Sequence, residues 1–249
     1  MRVALAGQDA SDLLPLIRKT GLEIVEAKPD VVISYGGDGT LLGAERQWPG
    51  VPKLAMRHAL ACRKCPEHED AAVLERLARS DVSQTGLIKL AGITKDDRLL
   101  AINDIVLHKA VATSGVRYRV WINDEAYSNE IVGDGLVVST PFGSSAYYRS
   151  ITHSFFREGI GVAFNNSTEQ VDHLVLRETE RLRLVVTRGP ALLCADNAPE
   201  PVEMEEGDEA TVAKAEETAV LLAGETLFCN RCRRPDGTRF NRLGGLMSL

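Results

Sequence analysis

The stretch Val31-Val32-Ile33-Ser34-Tyr35-Gly36-Gly37-Asp38-Gly39-Thr40 decides how this chain is read. Its first three residues form a continuous apolar, β-branched run, the mark of a strand buried on both faces, as in a parallel sheet. Three glycines and an aspartate follow, and then Leu41 to Gln47 reads as a helix. The flanks repeat the alternation. Arg2 to Ala6 is a short apolar strand. Asp9 or Ser11 can cap a helix carrying Leu13, Leu14, Leu16 and Ile17, with Pro15 tolerable in the first turn and Gly21 as its stop. Val51 to Met56 is a further strand, and Glu67 to Ser80 an amphipathic helix with Ala71, Leu74, Leu77 and Ala78 on one face. The first third is therefore an α/β layer.

From about residue 84 the helical period is lost. Short β-type runs replace it: Leu99 to Lys109, Val116 to Ile122, Ala126 to Ile131, Leu136 to Ser139, His173 to Leu176, Leu182 to Thr187, Ala210 to Ala213 and Ala219 to Leu222. Asn123-Asp124-Glu125 reads as a hairpin turn. Many short strands with polar turns predict a sandwich-like second domain. The fold class expected is thus α/β plus β: a Rossmann-like α/β domain over residues 1–100, an all-β domain over 101–225, and a tail over 226–249.

The chain has 249 residues, 44% hydrophobic and 26% charged, which excludes global disorder and a disulfide-rich miniature. No apolar run approaches the roughly 18 residues of a membrane span. Polar Gln8 and Asp9 follow Met1 to Gly7 at once, unlike a secretory leader, so a cytoplasmic location and no membrane partner are expected. Lys+Arg 29 against Asp+Glu 35 leaves −6, the wrong sign for a protein whose main task is to grip nucleic acid.

A glycine turn between a buried strand and a helix lets a ligand approach the backbone, and the helix start offers N–H groups suited to a phosphate. The turn has neither the Walker A pattern nor G-x-G-x-x-G. A carboxylate in its middle would be repelled by phosphate, so Asp38 needs a reason to be there. Accepting a proton from an attacking hydroxyl is one, and the plain alternative is a helix cap. A second constellation runs from Gly133-Asp134-Gly135 through Ser139-Thr140-Pro141-Phe142-Gly143-Ser144-Ser145-Ala146-Tyr147: a short strand entering a loop of small hydroxylated residues, able to read a flat polar ligand. A third is Asn103-Asp104, two polar residues inside an apolar strand that must find partners, a bulge or a ligand-facing edge.

Together these pieces resemble the NAD kinase family, whose members carry a GGDGT turn after a hydrophobic strand, an Asn-Glu pair, and a D-G-L-hydrophobic-S-T-P-x-G-S-T-A-Y segment in that order. Gly36 to Thr40, Asn103-Asp104 and Asp134 to Tyr147 correspond. GGDGT is shared with lipid and sugar kinases; the long segment is more specific. The resemblance covers residues 30–50 and 100–150. It implies transfer of a phosphoryl group from ATP or polyphosphate, with Mg²⁺ or another divalent cation, to the adenosine 2′-hydroxyl of NAD. It implies Asp38 as general base, Gly36, Gly37, Gly39 and Thr40 beside the phosphates, and Asp38 and Gly39 also toward NAD. Asn103 and Asp104 would hold the adenosine, Asp134 the nicotinamide side, and Ser145, Ala146, Tyr147 and Ser150 would line the dinucleotide site. It further implies an α/β and an all-β domain with the ligand between them, a C-terminal tail returning to the first domain, and a homodimer or homotetramer.

Departures from the family pattern are visible. Asp104 replaces Glu, Phe142 replaces a small hydroxylated residue, His58 to Cys62 stands where a G-R-L-G-F stretch is expected, and Arg149 to Arg157 where a G-G-P stretch is expected. Gly161 to Asn166 echoes the next family loop, and Asp196 its late aspartate. A dinucleotide-binding protein with altered catalysis and a GGDGT kinase with another acceptor therefore stay open. Arg46, Lys53, Arg57 and Arg149 are candidate phosphate partners. Of five cysteines, Cys62/Cys65 and Cys229/Cys232 form two Cys-x-x-Cys pairs, able to supply four thiolates to a structural zinc; separate thiols or a redox pair are the alternatives.

Overall fold

The structure is a computed structural model that describes residues 1–56, 68–169, 171 and 173–224. The four paired cysteines, Arg57, His58 to Cys62 and the 226–249 tail lie outside these residues. Two compact units are present: Met1–Leu87 with the segment from Thr218, and Ile88–Glu217.

The first unit is the expected α/β layer. Strands β1 (Arg2–Ala6), β2 (Glu23–Ile24), β3 (Val31–Tyr35) and β4 (Lys53–Met56) are joined by helices α1 (Leu14–Thr20), α2 (Asp38–Gln47) and, after β4, α3 (Asp70–Ala78). The strands pair in parallel in the order β4-β3-β1-β2. Every residue of β3 is buried, as its apolar run requires. Val3, Leu13, Ile17, Ile33, Leu54, Leu74 and Leu77 form the core. Pro15 sits in the first turn of α1, and Gly21 ends that helix in the left-handed conformation, φ 75°. Asp9 precedes a 3₁₀ turn, Ala10–Leu13, but makes no side-chain cap bond, and the helix is entered from that turn instead.

The second unit contains β5 (Gln84–Ile93, which begins in the first), β6 (Arg98–Ala101), β7 (Asp104–Lys109), β8 (Val116–Ile122), β9 (Glu125–Ala126), β10 (Ile131–Gly133), β11 (Gly135–Ser139), α4 (Tyr147–Thr152), β12 (Ile160–Asn165), β13 (Leu174–Leu176), β14 (Leu182–Arg188), β15 (Ala191–Ala195) and β16 (Val202–Met204). The last strand, β17 (Glu209–Leu222), pairs with β14 through residues 209–212 and, in the first unit, runs parallel to β4 at Leu221 and Leu222. One antiparallel layer is ordered β10-β8-β14-β17; the other is β13-β12-β11-β7-β15-β16.

The layers form a sandwich. Tyr118, Val120, Leu184, Val186 and Val212 from one, with Ile105, Leu107, Leu136, Val138, Val162 and Leu193 from the other, make one core. Side chains alternate along a strand. The partners of those core residues, Val106, Val137, Ala163 and Cys194, therefore face the opposite side, where Tyr148, Ile151 and Phe156 cover them. Asp104 shares that second face, being two residues from Val106.

The strand reading differs from the structure in several places, and Ala126 to Ile131, expected as one strand, holds only the end of β9 and the start of β10. Leu99 to Lys109 is not one strand but two, broken at Ile102-Asn103, because the backbone there turns to a side chain for its hydrogen bonds. The two runs 210–213 and 219–222 are one strand of 14 residues. The second unit begins at Ile88 rather than near 100, because Leu90 and Ala91 on β5 pair with β6 and Leu90 enters the sandwich core. The Asn123-Asp124 turn does join β8 to β9, both residues taking positive φ, 48° and 72°.

Tyr118 ties the layers together: fully buried on β8, it donates its hydroxyl to the Gly135 carbonyl of β11 at 3.0 Å. Tyr118→Phe should leave that acceptor without its donor and lower stability by about 1 kcal/mol, read as a lower urea midpoint with an unchanged slope.

Candidate functional site

In the first unit the glycine turn is built by close approach. A Cβ on Gly7, at the end of β1, would lie 2.1 Å from the Tyr35 carbonyl oxygen, so only glycine lets β1 and β3 close up there. A Cβ on Gly36 would meet Thr40 Oγ1 at 2.3 Å. Thr40 thus packs back onto the turn, and the Gly36 N–H donates to Met56 O of β4 at 2.8 Å. Gly37 is the extended N-cap of α2, accepting from Thr40 N and Leu41 N at 3.0 and 3.3 Å. Helix α2 starts at Asp38, three residues earlier than the apolar pattern indicated, so Asp38 and Gly39 lie in its first turn, half-exposed and exposed. Lys53, a candidate phosphate partner, is instead buried on β4, its Nζ donating to Glu45 Oε2 and the Trp48 carbonyl. A buried ammonium needs such a partner, and none of its surface reaches a turn ligand.

In the second unit the structure brings two separate motifs together. Asn103-Asp104 at the head of β7 and the 139–147 segment after β11 are locked by main-chain contact. Ser139 Oγ and Thr140 N donate to Asn103 O at 3.2 and 2.9 Å; Thr140 Oγ1 donates to Ile102 O at 2.5 Å and accepts from Gly143 N at 3.0 Å. A Cβ on Gly143 would lie 2.2 Å from Asn103 O and 2.5 Å from its Cα. From below, the Asp196 carboxylate accepts the N–H groups of Ile102, Asn103 and Asp104 at 2.9, 2.8 and 3.2 Å.

Beyond the loop, Ser145 is buried, Ala146 N donates to Gly143 O, and α4 begins at Tyr147. The Tyr147 hydroxyl accepts from Asn165 Nδ2 at 2.9 Å. Ser150 lies one turn on, exposed, its hydroxyl donating to Tyr147 O at 2.7 Å. Phe142, where the family pattern is small and hydroxylated, is buried.

Asp134 stands at the other end of the β7–β11 pair, since Ser139 opposes Asp104 and Gly135 opposes His108. Five residues of strand separate Asp104 from that end, roughly 17 Å. There Lys109 Nζ meets Asp134 Oδ1 at 2.6 Å and Asn166 Nδ2 meets Oδ2 at 3.2 Å. The hydrogen bond from Lys109 holds the Asp134 carboxyl below its ordinary range. Burial raises the Tyr147 hydroxyl, helped by the charges of both Asp134 and Asp104, so this ring feels both ends of the face. Burial also raises Asp104, to about 7, with the Asp196 charge second.

Lys109 and Asn165 were not legible as site residues. Lys109 is a cation at a strand end, like many surface lysines; Asn165 sits in the GVAFNN echo but has no partner one could assign from spacing. Among the described residues no group of three or more potential metal ligands occurs, and no helix is long and apolar enough to cross a membrane.

Comparison with known proteins gives a consistent result. The ATP-NAD kinase C-terminal domain family matches residues 102–223. The NAD kinase of Saccharophagus degradans is 26% identical over 215 residues, covering 80% of this chain and 73% of that protein. NAD kinases of Clostridium perfringens and Clostridium botulinum are 34% identical over 127 residues and 36% over 136; these matches span about half the length of the clostridial proteins, 45% and 48%. An NAD kinase from Archaeoglobus fulgidus, solved with ATP, superposes with TM-score 0.76 at 17% identity over 91% of this chain and 95% of that one. Yeast NADH kinase, solved with NADH, superposes with TM-score 0.77 at 16% identity over 96% and 89%. The two superpositions show a shared fold.

The 2.2 Å approach at Gly143 yields a direct test. Gly143→Ala must push the loop off Asn103, a main-chain collision that no rotamer relieves, and should lower stability by about 1–3 kcal/mol in urea unfolding, whereas Gly37→Ala, which meets nothing within 4 Å, should not approach that loss.

Proposed function

We propose that the chain is a member of the NAD kinase family and that it transfers the γ-phosphoryl group of ATP, or a terminal phosphoryl of polyphosphate, to the adenosine 2′-hydroxyl of NAD, giving NADP; the match of residues 102–223 to the family's C-terminal domain and the similarity to NAD kinases support this. The observation that carries this reading is the locking of Asn103-Asp104 to the 139–147 segment through Gly143: two motifs that are far apart in sequence form one polar face.

In this reading Asp38 is the general base. It takes the 2′-hydroxyl proton as the oxygen bonds to phosphorus and the bond from that phosphorus to the leaving phosphate oxygen breaks, releasing ADP or a shortened polyphosphate. Such transfer depends chiefly on positioning and on stabilising charge, which suits a turn made rigid by Gly7, Gly36 and the Thr40 contact. Asn103 and Asp104 take the adenosine, Asp134 the nicotinamide end, and Ser145, Ala146, Tyr147 and Ser150 the dinucleotide between; the length of the β7–β11 pair suits so extended a ligand. Helix α2 offers its start, with Gly36, Gly37, Gly39 and Thr40, to the donor phosphates. A divalent cation such as Mg²⁺ would come with those phosphates, held chiefly by their oxygens, and asks for few protein ligands, oxygen in type. When bound, the cation neutralises charge on the phosphates. The same reading has the protein cytoplasmic and a homodimer or homotetramer.

NADP formation from NAD⁺, ATP and Mg²⁺, followed with an NADP-specific dehydrogenase, tests it. Asp38→Asn should lower turnover by roughly 10²–10⁴ while calorimetry still registers NAD⁺ binding; near-normal turnover would remove Asp38 from the base role. Cys62, Cys65, Cys229 and Cys232 are proposed to share one structural zinc. Metal analysis of the purified protein should then return about one zinc per chain, and a value near zero would leave four separate thiols.

A further inference from the structure

The Asp134 end of the β7–β11 pair carries a set of contacts that the sandwich core does not need. The main chains are tied first. Lys109 N–H donates to Asp134 O at 3.0 Å, and Asp134 N–H donates to Asn165 O at 2.9 Å. A Cβ on Gly133 would lie 2.9 Å from Asn165 O and 3.1 Å from Asn166 O, so the two segments are pressed together. Asn166 then takes φ 50°, a conformation that asparagine tolerates. That residue ends the alternation of the strand, and two consecutive amides serve one end of the sheet. Asn165 Nδ2 donates to the Tyr147 hydroxyl at 2.9 Å, and Asn166 Nδ2 to Asp134 Oδ2 at 3.2 Å. Lys109 Nζ meets the other oxygen, Oδ1, at 2.6 Å.

Both oxygens of Asp134 are thus engaged, and one ammonium answers its charge. The pair is shielded from water. The Lys109 and Asp134 side chains are 20% and 24% exposed, whereas those of Arg2–Asp30, Arg98–Glu217 and Arg181–Asp124 are between 44 and 67% exposed. Charges that are partly withdrawn from water are screened less, so a neighbouring group feels the loss of either partner. Tyr147 is such a neighbour, its hydroxyl raised in part by the Asp134 charge. His108 also acts on Asp134, and neither it nor the Tyr147 hydroxyl brings a negative charge at neutral pH.

A nicotinamide ring is positively charged when oxidised and uncharged when reduced. A lone carboxylate beside it favours the oxidised form, and a carboxylate matched by an ammonium favours neither. Resting on the dinucleotide reading above, which sets the nicotinamide end at Asp134, we propose that Lys109 is a specificity-determining residue: it cancels the charge of Asp134, so that the site takes oxidised and reduced dinucleotide alike and NADH is phosphorylated to NADPH as readily as NAD⁺ to NADP. The transfer is the same for both. The donor's phosphoryl group passes to the 2′-hydroxyl, the proton of that hydroxyl is released, and the redox state of the ring is unchanged.

The test compares the two redox forms on the full chain. With ATP and Mg²⁺, kcat/KM for NAD⁺ and for NADH should agree within about threefold, as should the two Kd values from calorimetry. Lys109→Met removes the cation and should move the ratio roughly tenfold toward NAD⁺, with KM rather than kcat carrying the change. Asp134→Asn removes the anion and leaves Lys109 unmatched, so the ratio should move toward NADH instead. The double variant should return to parity, and Lys109→Arg should remain there. A role confined to holding the fold would weaken both dinucleotides together and leave their ratio unmoved. A larger preference in the wild-type chain, an unchanged ratio in Lys109→Met, or shifts of the same sign in the two single variants would overturn the proposal. NADP formation from NAD⁺ with NADH excluded would reject it and leave the kinase reading intact; equal Kd values for the two forms without phosphoryl transfer would do the reverse.

Discussion

Three consecutive main-chain N–H groups, those of Ile102, Asn103 and Asp104, converge on one buried carboxylate, Asp196, and the polar face of the second unit depends on that convergence. Main-chain donors in a buried segment must be satisfied. Here a side chain arriving from the end of β15 satisfies them, so the chain can leave strand pairing between β6 and β7 without orphaning these donors. The interruption frees the carbonyls of Ile102 and Asn103 to receive Thr140 and Ser139, and the approach is close enough that residue 143 has to be glycine.

The same arrangement explains why a sheet that is buried on both sides still carries acidic residues. The face opposite the sandwich core is closed over its middle by Tyr148, Ile151 and Phe156, leaving polar groups at the two ends of the β7–β11 pair. The ends are electrostatically unlike. Asp134 has Lys109 and Asn166, which favour its charge; Asp104 has burial and a second acid, which oppose it. One carboxyl is held as an anion and the other driven toward the neutral form by environment alone, and Tyr147 senses both.

In the first unit the constraint is steric. Gly7 and Gly36 are required by the Tyr35 carbonyl and the Thr40 side chain respectively, so the turn is defined by what cannot fit beside it. Its only carboxylate enters at the first residue of α2, where a negative charge is favoured by the helix dipole.

Much of this was legible from residue order. The all-buried Val31–Tyr35 strand, the glycine turn, the change from helical to strand periodicity and the Asn123-Asp124 turn are local properties, set by steric demands of β-branched residues and by the few residues that accept positive φ. The motif residues were legible from local pattern too, since Asn103 and Asp104 interrupt an apolar run, and Asp38 and Asp134 stand between glycines. What residue order could not supply was pairing at long range. Nothing local says that Asp196 answers Asn103, that Lys109 neutralises Asp134, or that Lys53 is spent on Glu45. Nor does it show that, among the described residues, one of two carboxyls has no donor, because burial and hydrogen-bond supply are set by which strands lie side by side, and register is a property of the folded sheet rather than of any strand in it.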